Sequence, residues 1–324
     1  MKSKWRYIFV ISALMLVIVL SAAALVSTGN NEAKVQISVI VENSAESRWV
    51  PLQAGLSQAA DDNNVRLNIV STNEFHSLAE ERELIEKEIQ GGADGIITQL
   101  YSSSDTAEMI SEFSRQVALE LIDTDADADV DVEGKYASVM PDDVSIGRAI
   151  GNELLINYNE NLKGKKIGIL CGNQKQYSMQ KRMQGFTQSI QNAGCRTVWV
   201  EDGSGAVQRR LSYRQTGTHA DIIVALDNNG LEQAVDYIAD SEDKVALYGE
   251  GCSDKNVYYL DKGIIKSMIV PDEYNMGYQS VTAVADRLKN KLVPMKNVTI
   301  GYRIVHKDNM YDPDNQKLLF PIIQ

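Results

Sequence analysis

Val35-Gln-Ile-Ser-Val-Ile-Val-Glu-Asn-Ser-Ala-Glu-Ser-Arg-Trp-Val-Pro-Leu-Gln-Ala-Gly-Leu56 is the stretch whose reading decides the fold. Val35, Ile37, Val39, Ile40 and Val41 make a short, β-branched, nearly all-apolar run, the pattern of a strand covered on both faces of a parallel sheet. Glu42 to Ser47 break that run with small and polar residues. From Arg48 the spacing of Leu52, Leu56, Ala59 and Ala60 predicts a helix lying against the strand. In an open parallel sheet the loop leaving a strand's carboxyl end faces the crevice where ligands bind. Here the loop and the helix start carry Glu42, Asn43, Glu46, Arg48 and Trp49, hydrogen-bonding groups beside one flat apolar ring. A hydroxyl-rich ring compound has a polar edge and apolar C–H faces, and it needs both kinds of surface.

Outward from this stretch, strands and helices alternate. Strands are predicted at Val65–Val70, Ile96–Leu100, Val117–Ile122 and Tyr136–Met140, with helices at Leu78–Ile89, Thr106–Arg115 and Val144–Tyr158. Asp142 or Asp143 can cap the last of these, and its Gly147 and Gly151 allow close packing. The rhythm then restarts. Strands fall at Ile167–Cys171, Thr197–Val200, Ile222–Leu226 and Val245–Tyr248, and helices at Met179–Asn192, Val207–Arg214 and Leu231–Ala239. A closing segment reads as strand Gly263–Val270, helix Glu273–Leu288 and strand Val298–Val305. Such alternation gives parallel sheets with helices on both faces. No Pro/Ser-rich linker separates the halves, so a strand-like crossing near Met140 must connect them.

The 324 residues allow one large or two medium domains with ample core. A net charge of −12 argues against a nucleic-acid partner, which needs clustered cations to neutralise phosphates. Cys171, Cys195 and Cys252 are too few and scattered for a disulfide scaffold or zinc site, and read as buried thiols. The acidic run Asp123 to Glu133 lacks the Gly and Glu positions of a calcium loop and reads as solvated beyond Asp125. Asp123 differs, because it ends a buried strand as Glu42 does. Lys2, Lys4 and Arg6 precede the apolar stretch Tyr7–Val26, a signal peptide or an uncleaved membrane anchor, with the anchor favoured. Its flanking charges place the rest of the chain outside the cytoplasm. No Cys follows the stretch to accept a diacylglyceryl anchor.

The chain resembles the type I periplasmic sugar-binding proteins, the ribose- and galactose-binding group. The marks are Ser38-Val-Ile-Val-Glu42, Arg48-Trp49, Gly92-Ala-Asp-Gly-Ile-Ile97, Leu121-Ile-Asp123 and Pro141-Asp142-Asp-Val-Ser-Ile-Gly-Arg-Ala-Ile-Gly151. Further on come Lys181-Arg182-Met-Gln-Gly185-Phe186, Asp227-Asn228, Tyr248-Gly-Glu250 and Pro271-Asp272-Glu-Tyr-Asn-Met-Gly277. The resemblance implies an α/β fold of two Rossmann-like lobes with parallel sheets joined by a three-crossing hinge, after the N-terminal membrane or signal segment (1–31). One lobe would hold 32–140 and 271–301, the other 141–270 and 302–324. It also implies roles for residues. Trp49 would stack on a sugar's apolar face, Asp123 would accept hydroxyl protons, and Arg182 would fork onto a ring oxygen and a hydroxyl. Asp227, Asn228 and Glu250 would bind from the second lobe, with Asp272 standing in for a family glutamine where this chain has Pro271. Glu42, Glu46 and Arg48 depart from the family's commoner residues, so the guest need not be ribose or galactose.

No phosphate loop, dinucleotide fingerprint or nucleophile elbow is present, so neither an enzyme nor a cofactor is expected. His76, His219 and His306 are dispersed and read as lying away from the carboxyl-end loops. Removing Arg182 or Asp123 is expected to abolish ligand binding while leaving the unliganded melting point nearly unchanged. A closed, loaded protein must be read by a partner at the membrane, either an ABC-type permease that takes up the sugar or a histidine kinase that senses it.

Overall fold

The computed structural model describes Met15, Ile18 and residues 34–127, 136–203, 207–241 and 244–320. The chain divides into a unit over Met1–Val35 and a unit over Gln36–Gln324. In the first, Met15 and Ile18 are helical, and the rest of the apolar stretch read as a signal or anchor lies outside the described residues. Among those residues no helix is long and apolar enough to cross a membrane. The acidic run beyond Asp127 also lies outside them.

The second unit contains two six-stranded sheets. The first comprises β1 (Gln36–Ile40), β2 (Arg66–Ile69), β3 (Gly95–Thr98), β4 (Ala118–Ile122), β5 (Tyr136–Pro141) and β11 (Val298–Ile300), in the order β11-β5-β4-β3-β1-β2. The second comprises β6 (Lys166–Cys171), β7 (Arg196–Asp202), β8 (Ile222–Ala225), β9 (Ala246–Glu250), β10 (Ile265–Pro271) and β12 (Tyr302–Val305), in the order β12-β10-β9-β8-β6-β7. Among the described residues every pairing is parallel except β10 with β12. Central strands with helices on both faces are mostly apolar. Accordingly Val39, Ile40, Ile96, Ile97, Leu121, Ile122, Ile223 and Val224 are fully buried.

In each sheet the order reverses beside the first strand, at β1/β3 and β6/β8, and the loops leaving the carboxyl ends diverge there to leave a crevice. The chain passes between the sheets three times, after Pro141, after Pro271 and at Gly301. The passes lie side by side. Ile300 is in register with Pro141, Tyr302 with Pro271, and the Asp272 amide donates to the Gly301 carbonyl at 3.0 Å. The run read as one strand, Val298–Val305, is thus two strands broken at Gly301 and shared between the sheets.

Two helix pairs set the lobes. Helix α1 (Val50–Asn63) packs on α9 (Glu273–Lys289), and α4 (Asp143–Asn157) packs on α5 (Tyr177–Ile190). A Cβ on Gly55 would lie 1.9 Å from the Tyr274 carbonyl oxygen, and one on Gly147 would lie 2.0 Å from that of Arg182. Only glycine permits backbones to approach so closely. Two helices escape the sequence reading, α8 (Asp254–Asp261) and α10 (Pro313–Leu319), both short and with few buried side chains.

Glu120, fully buried on β4, has no partner for either carboxylate oxygen. Burial, with Asp125 nearby, holds its pKa well above the ordinary value, so it is a neutral acid in the core. An unpartnered buried polar group costs about 1–3 kcal/mol. Glu120→Leu, of similar volume, is therefore expected to raise unfolding stability by roughly that amount in urea denaturation, read as a higher midpoint at unchanged slope.

Candidate functional site

The two crevices face each other as one cleft of about 670 Å³, lined from strand ends on both sides. The first lobe contributes Glu42 after β1, Gln99 after β3 and Asp123 after β4. Asp123 sits at φ 55°, a left-handed conformation that Asp tolerates better than most residues. The second lobe contributes the loop Gly172–Gln176 after β6, Asp227 after β8 and Glu250 at the end of β9. Arg182 projects from α5 into the floor.

Arg182 is the centre of this arrangement. It is 3% exposed, and its guanidinium donates to Asp143 Oδ1 (2.6 Å), Glu250 Oε2 (2.7 Å), the Leu226 carbonyl (3.1 Å) and Asp123 Oδ1 (3.3 Å). Asp123 directly follows β4 of the first sheet and the other three partners belong to second-lobe elements, so one fork joins both halves. Burial alone would lower the pKa of Arg182, but Glu250, Asp143 and Asp123 more than reverse that and hold it well above its ordinary value. The carboxyls feel the opposite balance. Burial pushes Asp143 up to about 6 and Glu250 up to about 7, against the pull of Arg182. Burial also raises Asp123, against Arg182 and Arg48.

Nearer the mouth, Arg48 pairs with Glu46 at 2.9 Å and lies over the Trp49 ring, 4.0 Å from its centroid. Trp49 donates its indole N–H to the Glu42 carbonyl and is 1% exposed. Trp49 lines the cleft, and Arg48 covers one face of its ring in a cation–π contact. Glu46 accepts from Asn229 at 3.0 Å, a contact between lobes. The halves also meet where Asn173 donates to the Tyr101 carbonyl (2.7 Å), Gln176 to the Leu100 carbonyl (3.0 Å) and the Tyr177 amide to Ser103 Oγ (2.6 Å).

Several expected ligand residues are committed elsewhere. Asp227 caps helix α7 (Asn228–Asp240) by accepting from the Gly230 amide, and its other oxygen accepts from the Gly172 amide. Asn228 Oδ1 accepts from the amides of Cys252 and Ser253, so it braces the loop after β9. Both line the cleft, as its wall. Asp272 does not line it. It caps α9 by accepting from the Asn275 amide, and the next residue, Glu273, faces the cleft instead. The same happens at the first crossing, where Asp142 caps α4 and Asp143 turns inward onto Arg182. His76 lies on the cleft rim, contrary to its sequence reading. Cys252 also lines the cleft, and all three cysteines are free. Among the described residues no group of side chains is placed to hold a metal ion.

Sequence reasoning missed Gln99, Asp143 and Glu273. A signal for the last two exists. Pro141-Asp142-Asp143 and Pro271-Asp272-Glu273 are the same Pro-Asp-acid triplet, each four residues ahead of a crossing glycine, Gly147 or Gly277.

A family model described as periplasmic binding protein domain matches residues 37–292. No curated protein matches the chain. Among solved structures, a carbohydrate-transporter solute-binding protein from Agrobacterium radiobacter in complex with D-arabinose is similar with a TM-score of 0.80 at 21% identity, over 89% of this chain and 100% of that one. GanP, a glucose-galactose binding protein from Geobacillus stearothermophilus, has a TM-score of 0.76 at 20% identity, over 86% of this chain and 100% of its own. A chain of the XylFII–LytSN complex has a TM-score of 0.73 at 17% identity, over 86% of this chain and 99% of that one. At such identities the likeness shows a shared fold.

Proposed function

The chain belongs to the periplasmic binding protein domain family, extracytoplasmic binding proteins rather than enzymes, and from that premise we propose that its cleft binds a monosaccharide-like, polyhydroxylated solute for ABC-type uptake. The observation that carries the reading is the Arg182 fork, which links Asp123 of one lobe to Glu250 and Asp143 of the other at the floor of the cleft. Ionised donors and acceptors make the stronger hydrogen bonds, and a ring with a hydroxyl on each carbon can engage both. Binding by one lobe followed by completion from the other shifts the population to a closed form, with the three crossings as the hinge. A site that pairs each hydroxyl rejects analogues lacking one, since its buried polar groups are then unmatched. The solved structures described with D-arabinose and as glucose-galactose binding agree with this reading.

A sugar sensor anchored at the membrane is the second reading. It is favoured by the apolar stretch Tyr7–Val26 and by the likeness to a chain complexed with LytSN. Deleting the gene separates the two: loss of sugar uptake supports transport, while intact uptake with lost sugar-responsive expression supports sensing.

The test of binding is a melting-shift screen over pentoses, hexoses and polyols. A ligand present at roughly 100 times its Kd should raise the melting point by about 5 °C. Asp123→Asn, which keeps the shape and tolerates the left-handed backbone, should weaken that response at least about tenfold. It also removes one of the counter-charges of Arg182, so the unliganded melting point should fall as well. A variant that responds like the parent rules Asp123 out of the site.

A further inference from the structure

The cleft is far more acidic than a neutral sugar needs. Among the described residues nine carboxylates line it against three cationic side chains, Arg48, Lys175 and Arg182. The two arginines are already matched: Arg48 by Glu46, and Arg182 by Asp143, Glu250 and Asp123 together. Glu273 is left over. It is 8% exposed, lines the cleft, and its Oε2 has no hydrogen-bond partner. Gln99, 2% exposed and donating to Asp123, likewise has an unpartnered acceptor, Oε1. Two unmatched acceptors in a cleft with surplus negative charge call for a guest that brings donors and positive charge. Neutral hydroxyls would supply donors but no positive charge, so Glu273 could stay away from water only as a neutral acid. An ammonium supplies three donors and the missing charge at once.

Resting on the reading that the cleft takes a polyhydroxylated solute, we propose that this solute is an amino sugar or aminated polyol, bound with its ammonium group against Glu273 and Gln99. The hydroxylated remainder then meets the Arg182 fork. The groups acting on Glu273 are Asp123, Glu250 and Cys252, with Arg48 and Arg182 opposing. Burial and the two carboxylates raise the pKa of Glu273 well above its ordinary value, which favours its protonated form before binding. An ammonium ion displaces that proton to solvent, whereas a neutral sugar leaves it in place.

The experiment is isothermal titration of the purified full-length chain near pH 7, in phosphate and in Tris. The ligands are D-glucosamine, D-galactosamine, their neutral parent hexoses, their N-acetyl derivatives and spermidine. The expected result is at least about tenfold tighter binding of a hexosamine than of its parent or N-acetyl form. Net proton release, seen as a buffer-dependent heat, accompanies it, and Glu273→Gln removes both the preference and the release. Parent hexoses binding as tightly as hexosamines, or a preference unchanged in Glu273→Gln, overturns the inference and leaves the sugar reading standing. Spermidine binding without any sugar response keeps the demand for a cation but overturns both the amino-sugar assignment and the sugar reading. No response to any amine overturns the inference, and the parent hexoses then decide the wider reading separately.

Discussion

Arg182→Ala is expected to destabilise the folded protein by about 3–5 kcal/mol, the range found when one partner of a buried ion cluster is removed. The guanidinium is 3% exposed and is the shared counter-charge of Asp123, Asp143 and Glu250. Without it, three carboxyls lie together in a dry floor, and those of Asp143 and Glu250 must take up protons to remain there. The sequence reading expected Arg182 to be a ligand group alone, removable with little effect on melting. The structure argues against that expectation of an unchanged melting point, because the guanidinium also neutralises three buried carboxyls. Chemical denaturation at pH 7 and pH 5 checks the corrected view. The loss should be smaller at pH 5, where protonation relieves the repulsion, and a loss below about 1 kcal/mol at pH 7 would contradict a buried cluster.

A stability that falls as pH rises is the second large effect expected. Glu81 is fully buried behind the cleft residue Tyr101, accepts from its amide at 2.9 Å and from Thr98 at 3.3 Å, and is pushed by burial up to about 8. Asp143 and Glu250 are raised to about 6 and about 7 for the same leading reason. A carboxyl that holds its proton more tightly folded than unfolded stabilises fully below its unfolded pKa. That contribution is lost as pH rises through the folded value. His306 acts in the same sense, since its hydrogen bond with Glu153 raises its pKa. Unfolding free energy should therefore decline from about pH 4.5 to about pH 8 and then level off. For Glu81 the decline is bounded above by about 5 kcal/mol. Glu81→Gln should flatten the upper part of the curve, and a stability maximum near pH 8 in the parent would contradict the assignment.

How far the sequence carried follows from what each residue does locally. A buried parallel strand is mostly apolar, so β1, β3, β4 and β8 announce themselves; the strand-end rule then points to Glu42 and Asp123, while Asp227 and Glu250 come from the family resemblance. The fold of two lobes with parallel sheets stands as expected. Which oxygen meets which partner was not legible, because capping and ligand binding ask for the same side chains. Asp227 and Asp272 satisfy a helix start, and nothing in Pro271-Asp272-Glu273 alone says which acid caps and which turns inward. Trp49 presents an aromatic face in sequence, while packing lays Arg48 across it. The split at Gly301 was hidden because two short strands with one pattern read as a single strand.

The most direct measurement is a crystal structure of the protein with the compound that gives the largest melting shift. The account predicts that compound between the lobes, hydrogen-bonded to Asp123 and to Arg48 or Glu250, with its amino group beside Glu273. Density for it on an outer face, or a cleft holding only water while the compound sits elsewhere, would contradict the account.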